Sequence, residues 1–479
     1  MYIQKAFQLP GKANLVLVLQ EDEVQTTQNL DAQEQSYIRE HYDSKSRNTF
    51  FFNKLSHFLY VQVTEGEVSD NKKEFMRKQG VDAADFFSQQ KQSSAIIVAR
   101  EVADELVLSF AEGFALTAYQ FVKHKQKDES RTVFNELDII SEKISEQQIQ
   151  QLQNIVHASY ETRNLVNEPE NVLNALAFAR HMEAVCKQAG ADVQVFEKEK
   201  IKQLGMEALL TVNKGSKSQP TFTRIEWKPD EARNSKPLVL VGKGLVFDTG
   251  GINIKPTQGL ETMKSDMAGG AAVFGTLYAL ALNKVPVHVI GLIPATDNRP
   301  GEEAMLPGDI IKLGNGKTVE IINTDAEGRL ILADALLYAQ SLDPELVIDI
   351  ATLTGSATVA IGRFGIPAMH QDAESHMQQL KESGQRTWER IAELPFWEEY
   401  GEDMISDIAD LRNIGKGKGA GTITAGKFLA HFINYPWIHL DIAGVAFMDG
   451  RQSYLGKGAT AYGVRLLYDF ISQKFHHDS

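Results

Sequence analysis

The sequence holds a single cysteine, Cys186, among its 479 residues. No intrachain disulfide and no cysteine zinc cluster can form. One free thiol suits a reducing compartment. A long N-terminal apolar run is also missing. Between positions 1 and 20 only 15–19 is continuously apolar, too short for a secretory signal core or a membrane span. The expectation is a cytoplasmic protein with no membrane partner. Positive charge is in deficit, 49 Lys and Arg against 63 Asp and Glu, a net −14. Such a chain repels nucleic acid on average. Its basic clusters are short, Lys123, Lys125 and Lys127 in one place and Lys416 and Lys418 in another, and read as solvated loops. None of the 12 histidines lies in the loops described below, and no His-Glu-x-x-His occurs. His439 reads as a sheet histidine. What remains, 43% apolar and 23% charged residues, is a globular composition that excludes a disordered chain or a fibre.

Two textures divide the chain. Up to about Gln150, short β-type runs at 14–19, 58–63 and 95–99 alternate with polar helical stretches. Residues 115–121 read as helical, and the polar, Gln-rich 123–150 reads as a connection with a helix. The expected domains are a smaller N-terminal α/β domain, 1–150, and a larger α/β domain, 151–479. In the second, Asn174 can cap a helix that buries Phe178, Met182 and Val185 and stops at Gly190. Near-continuous apolar runs follow at 238–241, 287–293, 346–350 and 437–442, separated by helical patterns at 267–283 and 329–340. Strands of that kind, spaced by helices, require a central, mostly buried sheet covered on both faces.

Ligand-binding residues of such sheets collect in the loops that leave the strands. After 238–241 comes Gly242-Lys-Gly-Leu-Val-Phe-Asp-Thr-Gly-Gly251, then Lys255, then Met263-Lys-Ser-Asp-Met267. A second loop, Asn323-Thr-Asp-Ala-Glu-Gly-Arg329, enters a helix. These segments hold Asp248, Asp266, Asp325 and Glu327, with Lys243, Lys255 and Arg329. If 325–327 is extended, Asp325 and Glu327 point the same way. Carboxylates that close raise each other's pKa unless a cation intervenes. Two divalent ions would balance four carboxylates, and oxygen ligands suit Mn²⁺ or Mg²⁺, with Zn²⁺ admissible. Each residue also has an ordinary reading: Glu327 as an acid at a helix N-terminus, Asp248 in a turn, Lys243 on the surface. Two other motifs fail. Gly316-Lys-Thr318 lacks the leading glycine of a phosphate loop and reads as a hairpin turn at Asn315-Gly316. The single Asp248-Thr-Gly250 lacks the second copy that an aspartic-protease dyad needs.

At these residues the sequence resembles the leucyl aminopeptidase family, two-metal peptidases that include bacterial aminopeptidase A. Asn323-Thr-Asp-Ala-Glu-Gly-Arg-Leu330 resembles its signature without a mismatch. The blocks 241–256, 263–267, 350–355, 406–411, 420–425 and 437–444 are similar to others of its blocks. Ala461, where the family commonly has glycine, and Val172-Leu-Asn-Ala175, which lacks a second proline, depart from it. The resemblance implies that Asp248 and Glu327 bridge two metals, that Lys243 and Asp266 complete one site and that Asp325 completes the other. It implies Lys255 as an electrophilic stabiliser, Arg329 as the holder of a bicarbonate base, and Met263 and Asn323 on the substrate side. It further implies peptide substrates with a free N-terminus and a homohexamer. The alternative is a nucleic-acid-binding regulator on the same fold, which the net charge opposes.

Overall fold

The computed structural model describes residues 1–126 and 133–476, so Lys127 lies outside the described residues. The chain divides into two compact units, one of 1–160 with 451–456, the other of 161–450 with 457–479. Position 150 falls inside a continuous helix, Glu146–Asn167.

The first unit is built on a six-stranded sheet. Its strands run in the order Tyr2–Lys5, Glu136–Ile140, Ser94–Ala99, Leu15–Gln20, Phe58–Thr64 and Thr49–Asn53. All neighbours are parallel except the edge strand Thr49–Asn53. The three β-type runs seen in the sequence are its centre. The helical reading of 115–121 is corrected: the helix is Asp104–Thr117, and 118–121 lies beyond its end.

The second unit carries the larger sheet, of nine strands. Four central strands, Trp437–Asp441, Leu346–Ala351, Leu238–Gly242 and Val289–Asn298, are parallel in that order. Every residue in all four is buried, which is why they read as apolar runs rather than alternating ones. Val239 and Val241 pack with Leu332 and Ala335 of the helix Gly328–Gln340. Helix Ala268–Leu282 lies against three of the four strands. The stretch Leu260–Leu282 has the length and hydropathy of a membrane span, yet 94% of its most apolar 18-residue window is buried inside the fold. An apolar helix surrounded by protein is the physical reason. Asn174 caps the helix Ala175–Gln188 by accepting from the Ala177 N–H at 2.9 Å. Asn315-Gly316 is the turn between antiparallel Ile310–Lys312 and Thr318–Glu320.

One buried carboxyl serves the packing. Asp334, on Gly328–Gln340, accepts the Leu209 N–H at 2.8 Å, while its other oxygen has no hydrogen-bond partner among the described residues. Burial pushes its pKa up to about 8. Between about pH 4, where an unfolded carboxyl ionises, and about pH 8 the native chain keeps a proton that the unfolded chain releases. Stability contributed here is therefore lost as pH rises through that window. Asp334→Asn is expected to flatten the fall in melting temperature from pH 6 to 9. Parallel melting-temperature profiles for the two proteins would reject this.

Candidate active site

The parallel central strands end on one side, and their exit loops bring the sequence candidates together. Lys243 follows Leu238–Gly242, and Asp248 ends the short strand Gly244–Asp248. Lys243 Nζ donates to Asp266 Oδ2 at 2.7 Å and to the Thr352 carbonyl at 3.0 Å, and lies 3.3 Å from Glu327 Oε1. Lys255 Nζ is 2.7 Å from Asp248 Oδ2 and is also paired with Asp325. Each ammonium thus sits between two carboxylates. Oxygens of Asp248, Asp325 and Glu327 lie within 4.8 Å of one another. Gly328 is needed for this packing, because a Cβ there would be 2.5 Å from Lys243 Cε.

The segment 323–327 is not extended, contrary to the sequence expectation. The Ala326 N–H bonds the Asn323 carbonyl at 3.1 Å, and Glu327 has φ −80° and ψ −33°. A turn, rather than strand alternation, brings Asp325 and Glu327 to one cluster. Asn323 accepts the Asp325 N–H at 2.9 Å, so its side chain holds that turn. Met263 lines the cavity above the cluster, a space of about 330 Å³ that Lys243, Lys255 and Arg329 also border.

The electrostatics are those of crowded anions. Burial, then the adjacent Asp248, pushes Glu327 up to about 8. Burial pushes Asp266 up to about 6, against the pull of Lys243. Asp325 is raised by burial and Asp248. Burial would lower both lysines, but the surrounding carboxylates outweigh it and raise them, Asp266 and Glu327 acting on Lys243 and Asp248 on Lys255. More negative charge is gathered here than two ammoniums satisfy. Arg329 is different. It is buried, its Nε and Nη1 have no partner among the described residues, and burial lowers its pKa to about 10. Two buried guanidinium donors without an acceptor form a socket for an anion.

Comparison with known proteins decides the lineage. Residues 160–468 match the model of the cytosol aminopeptidase family, catalytic domain. The chain belongs to that family. A "Probable cytosol aminopeptidase" of Geobacter sp. (strain M21) is 43% identical over 372 residues, 76% of this chain and 75% of that protein. One of Chlorobaculum parvum is 50% identical over 312 residues, 64% and 61% of the two chains. The solved cytosol aminopeptidase of Coxiella burnetii superposes with TM-score 0.81 at 26% identity, over 98% of this chain and 99% of that one. The bottromycin maturation enzyme BotP, solved with Mn, gives TM-score 0.84 at 26% identity, over 97% and 100%. The protein is accordingly a hydrolase of the leucyl aminopeptidase type, a metal-binding protease.

For such an aminopeptidase the structure adds residues that the sequence did not single out. Asn298 ends the strand Val289–Asn298 and donates to Asp248 Oδ1 at 2.9 Å and to the Thr324 carbonyl at 3.0 Å. Thr352 donates to Asp266 Oδ1 at 2.7 Å. Buried Asp441 clamps the same loop, accepting from Thr354 Oγ1 at 2.7 Å and from the Leu353 N–H at 3.1 Å. Polar residues at the ends of apolar strands were the available signal. His439 is fully buried, 2.6 Å from Asp349 Oδ1, as expected of a sheet histidine.

Proposed function

We propose that the protein removes N-terminal residues from peptides with two divalent ions, Mn²⁺ or Zn²⁺ with Mg²⁺ admissible, held by the carboxylate cluster. One observation carries the reading: four carboxylates interleaved with two lysines at the base of a cavity whose remaining cation, Arg329, has unpartnered donors. The donor set fits divalent ions, since oxygens of three carboxylates already converge and the cluster's raised pKa values mark a shortage of positive charge.

In this reading Asp248 and Glu327 would serve both ions, Lys243 and Asp266 would serve one, and Asp325 would serve the other. When bound, the ions supply Lewis acidity and a water that ionises near neutral pH, and a bicarbonate on Arg329 supplies the base. Lys243 must release its proton to act as a ligand, so metal affinity rises with pH. Lys255 keeps its charge and meets the oxyanion that develops on the peptide carbonyl. Arg329 presents its planar fork to the bicarbonate. Met263 borders the substrate space, and Asn323 orients Asp325 by accepting its N–H. We place the protein in the cytoplasm, in keeping with the cytosol aminopeptidase name of its relatives. A homohexamer is the assembly that the resemblance implies, and a sedimenting species of six 53.3 kDa chains tests it.

The deciding experiment is hydrolysis of unblocked and N-acetylated dipeptides, before and after exhaustive chelation. Turnover is expected only on the unblocked peptide, lost on chelation and restored by Mn²⁺. Turnover that survives chelation would reject the metal mechanism. Equal rates on acetylated peptide would reject the exopeptidase reading.

A further inference from the structure

Five carboxylates line the cavity, and they are not alike. Asp248, Asp266, Asp325 and Glu327 are each engaged by Lys243 or Lys255. The side chain of Asp449 is exposed and forms no ion pair or hydrogen bond among the described residues. It is the cavity's uncommitted negative charge. Asp449 lies in the strand Phe447–Gln452, two positions after Phe447, so the two side chains project from the same face. Both line the cavity, with Ala443 and Ala446 from the preceding loop. Met448, between them, is buried. The wall is therefore apolar along its length and carries one free carboxylate.

An unbranched side chain with a cationic tip matches such a wall. Its methylenes cover alanine and aromatic carbon while its charge reaches the carboxylate and stays wet. A guanidinium or ammonium crossing Phe447 gains a cation–π contact as well. A neutral branched side chain meets the apolar part and leaves Asp449 solvated, at no loss. An acidic side chain is repelled. The wall thus separates side chains by charge at its carboxylate, not by length alone.

We propose that Asp449 biases the enzyme toward peptides whose N-terminal residue is lysine or arginine. The inference rests on the reading above that the substrate's N-terminal residue occupies this cavity. Because Asp449 is exposed, its pull is that of a surface ion pair, up to about fivefold.

The test measures kcat/KM of the full-length, Mn²⁺-supplied protein on lysyl and leucyl 4-nitroanilides, for wild type, Asp449→Asn and Asp449→Glu. The lysyl-to-leucyl ratio is expected to fall about three- to fivefold in Asp449→Asn and to be kept in Asp449→Glu. Raising NaCl from about 0.05 M to about 0.5 M should lower the wild-type ratio toward that of Asp449→Asn, since exposed charges are screened. A packing role would not respond to salt in this way. An unmoved ratio at low salt, with both substrates turned over, overturns this inference and leaves the aminopeptidase reading intact. No turnover of either substrate overturns that reading and the inference with it. An Asp449-dependent preference on Leu-Lys but not on Lys-Leu dipeptide overturns the assignment to the N-terminal side chain.

Discussion

Replacing Glu327 by alanine is expected to abolish peptide hydrolysis and to leave the purified protein short of metal. Glu327 sits between the two halves of the cluster. Its Oε1 is 3.3 Å from Lys243 Nζ, its Oε2 is 3.4 Å from Asn298 Nδ2, and Asn298 in turn binds Asp248. A ligand shared between two ions is lost from both. Outer-shell changes alone cost about 10- to 100-fold in metal affinity, so loss of a shared ligand should exceed about 100-fold. Glu327 is also buried with a pKa pushed up to about 8, which means that the folded chain holds this carboxylate at a cost. Removing it should therefore not unfold the protein. Glu327→Gln, close to isosteric, controls for the cavity that alanine leaves. Elemental analysis of both variants decides: full metal occupancy in Glu327→Ala, with activity lost, would show that Glu327 is not a shared ligand.

The second large effect separates two lysines in one glycine-rich block. Lys255→Ala is expected to lose turnover by about 10²–10³-fold while keeping both metals, the usual cost of removing one oxyanion donor. The structure supports a charged role. Lys255 is partly exposed toward the cavity, and its carboxylate neighbours raise its pKa. Lys243→Ala should instead weaken one metal site. Lys243 is buried between Asp266, Glu327 and the Thr352 carbonyl at the base of the cavity, held by groups that would themselves bind the ions. Its removal also leaves Asp266 and Glu327 without their shared cation, and a buried pair broken on one side costs about 3–5 kcal/mol. Lys243→Ala should therefore melt earlier until divalent metal is added. Metal content, melting temperature and turnover of the two variants settle the assignment. If Lys255→Ala loses metal and Lys243→Ala retains it, the roles are reversed.

Much of the fold was legible because burial on both faces removes the polar half of a strand's alternation. The runs at 238–241, 346–350 and 437–442 read as covered strands, and the helices between them made the sheet α/β. The candidate site residues stood out for a chemical reason. Carboxylates, lysines and glycines crowd the strand exits, where a packed interior has no use for them. The helix end at Thr117 was not legible, because 118–121 carries residues that a helix would also accept.

By itself, then, the sequence pointed to the central strands and to the candidate side chains of the site, since period and residue type are local properties. Only the tertiary structure decided how those side chains meet. A turn at 323–326, not strand alternation, joins Asp325 to Glu327. Lys243 finds Asp266 across 23 residues, and Asn298 finds Asp248 across 50. Thr352 reaches Asp266 from a third strand exit, and Arg329 is left with donors that no described residue accepts. Such pairings depend on strand order in the sheet, which periodicity along one chain does not encode.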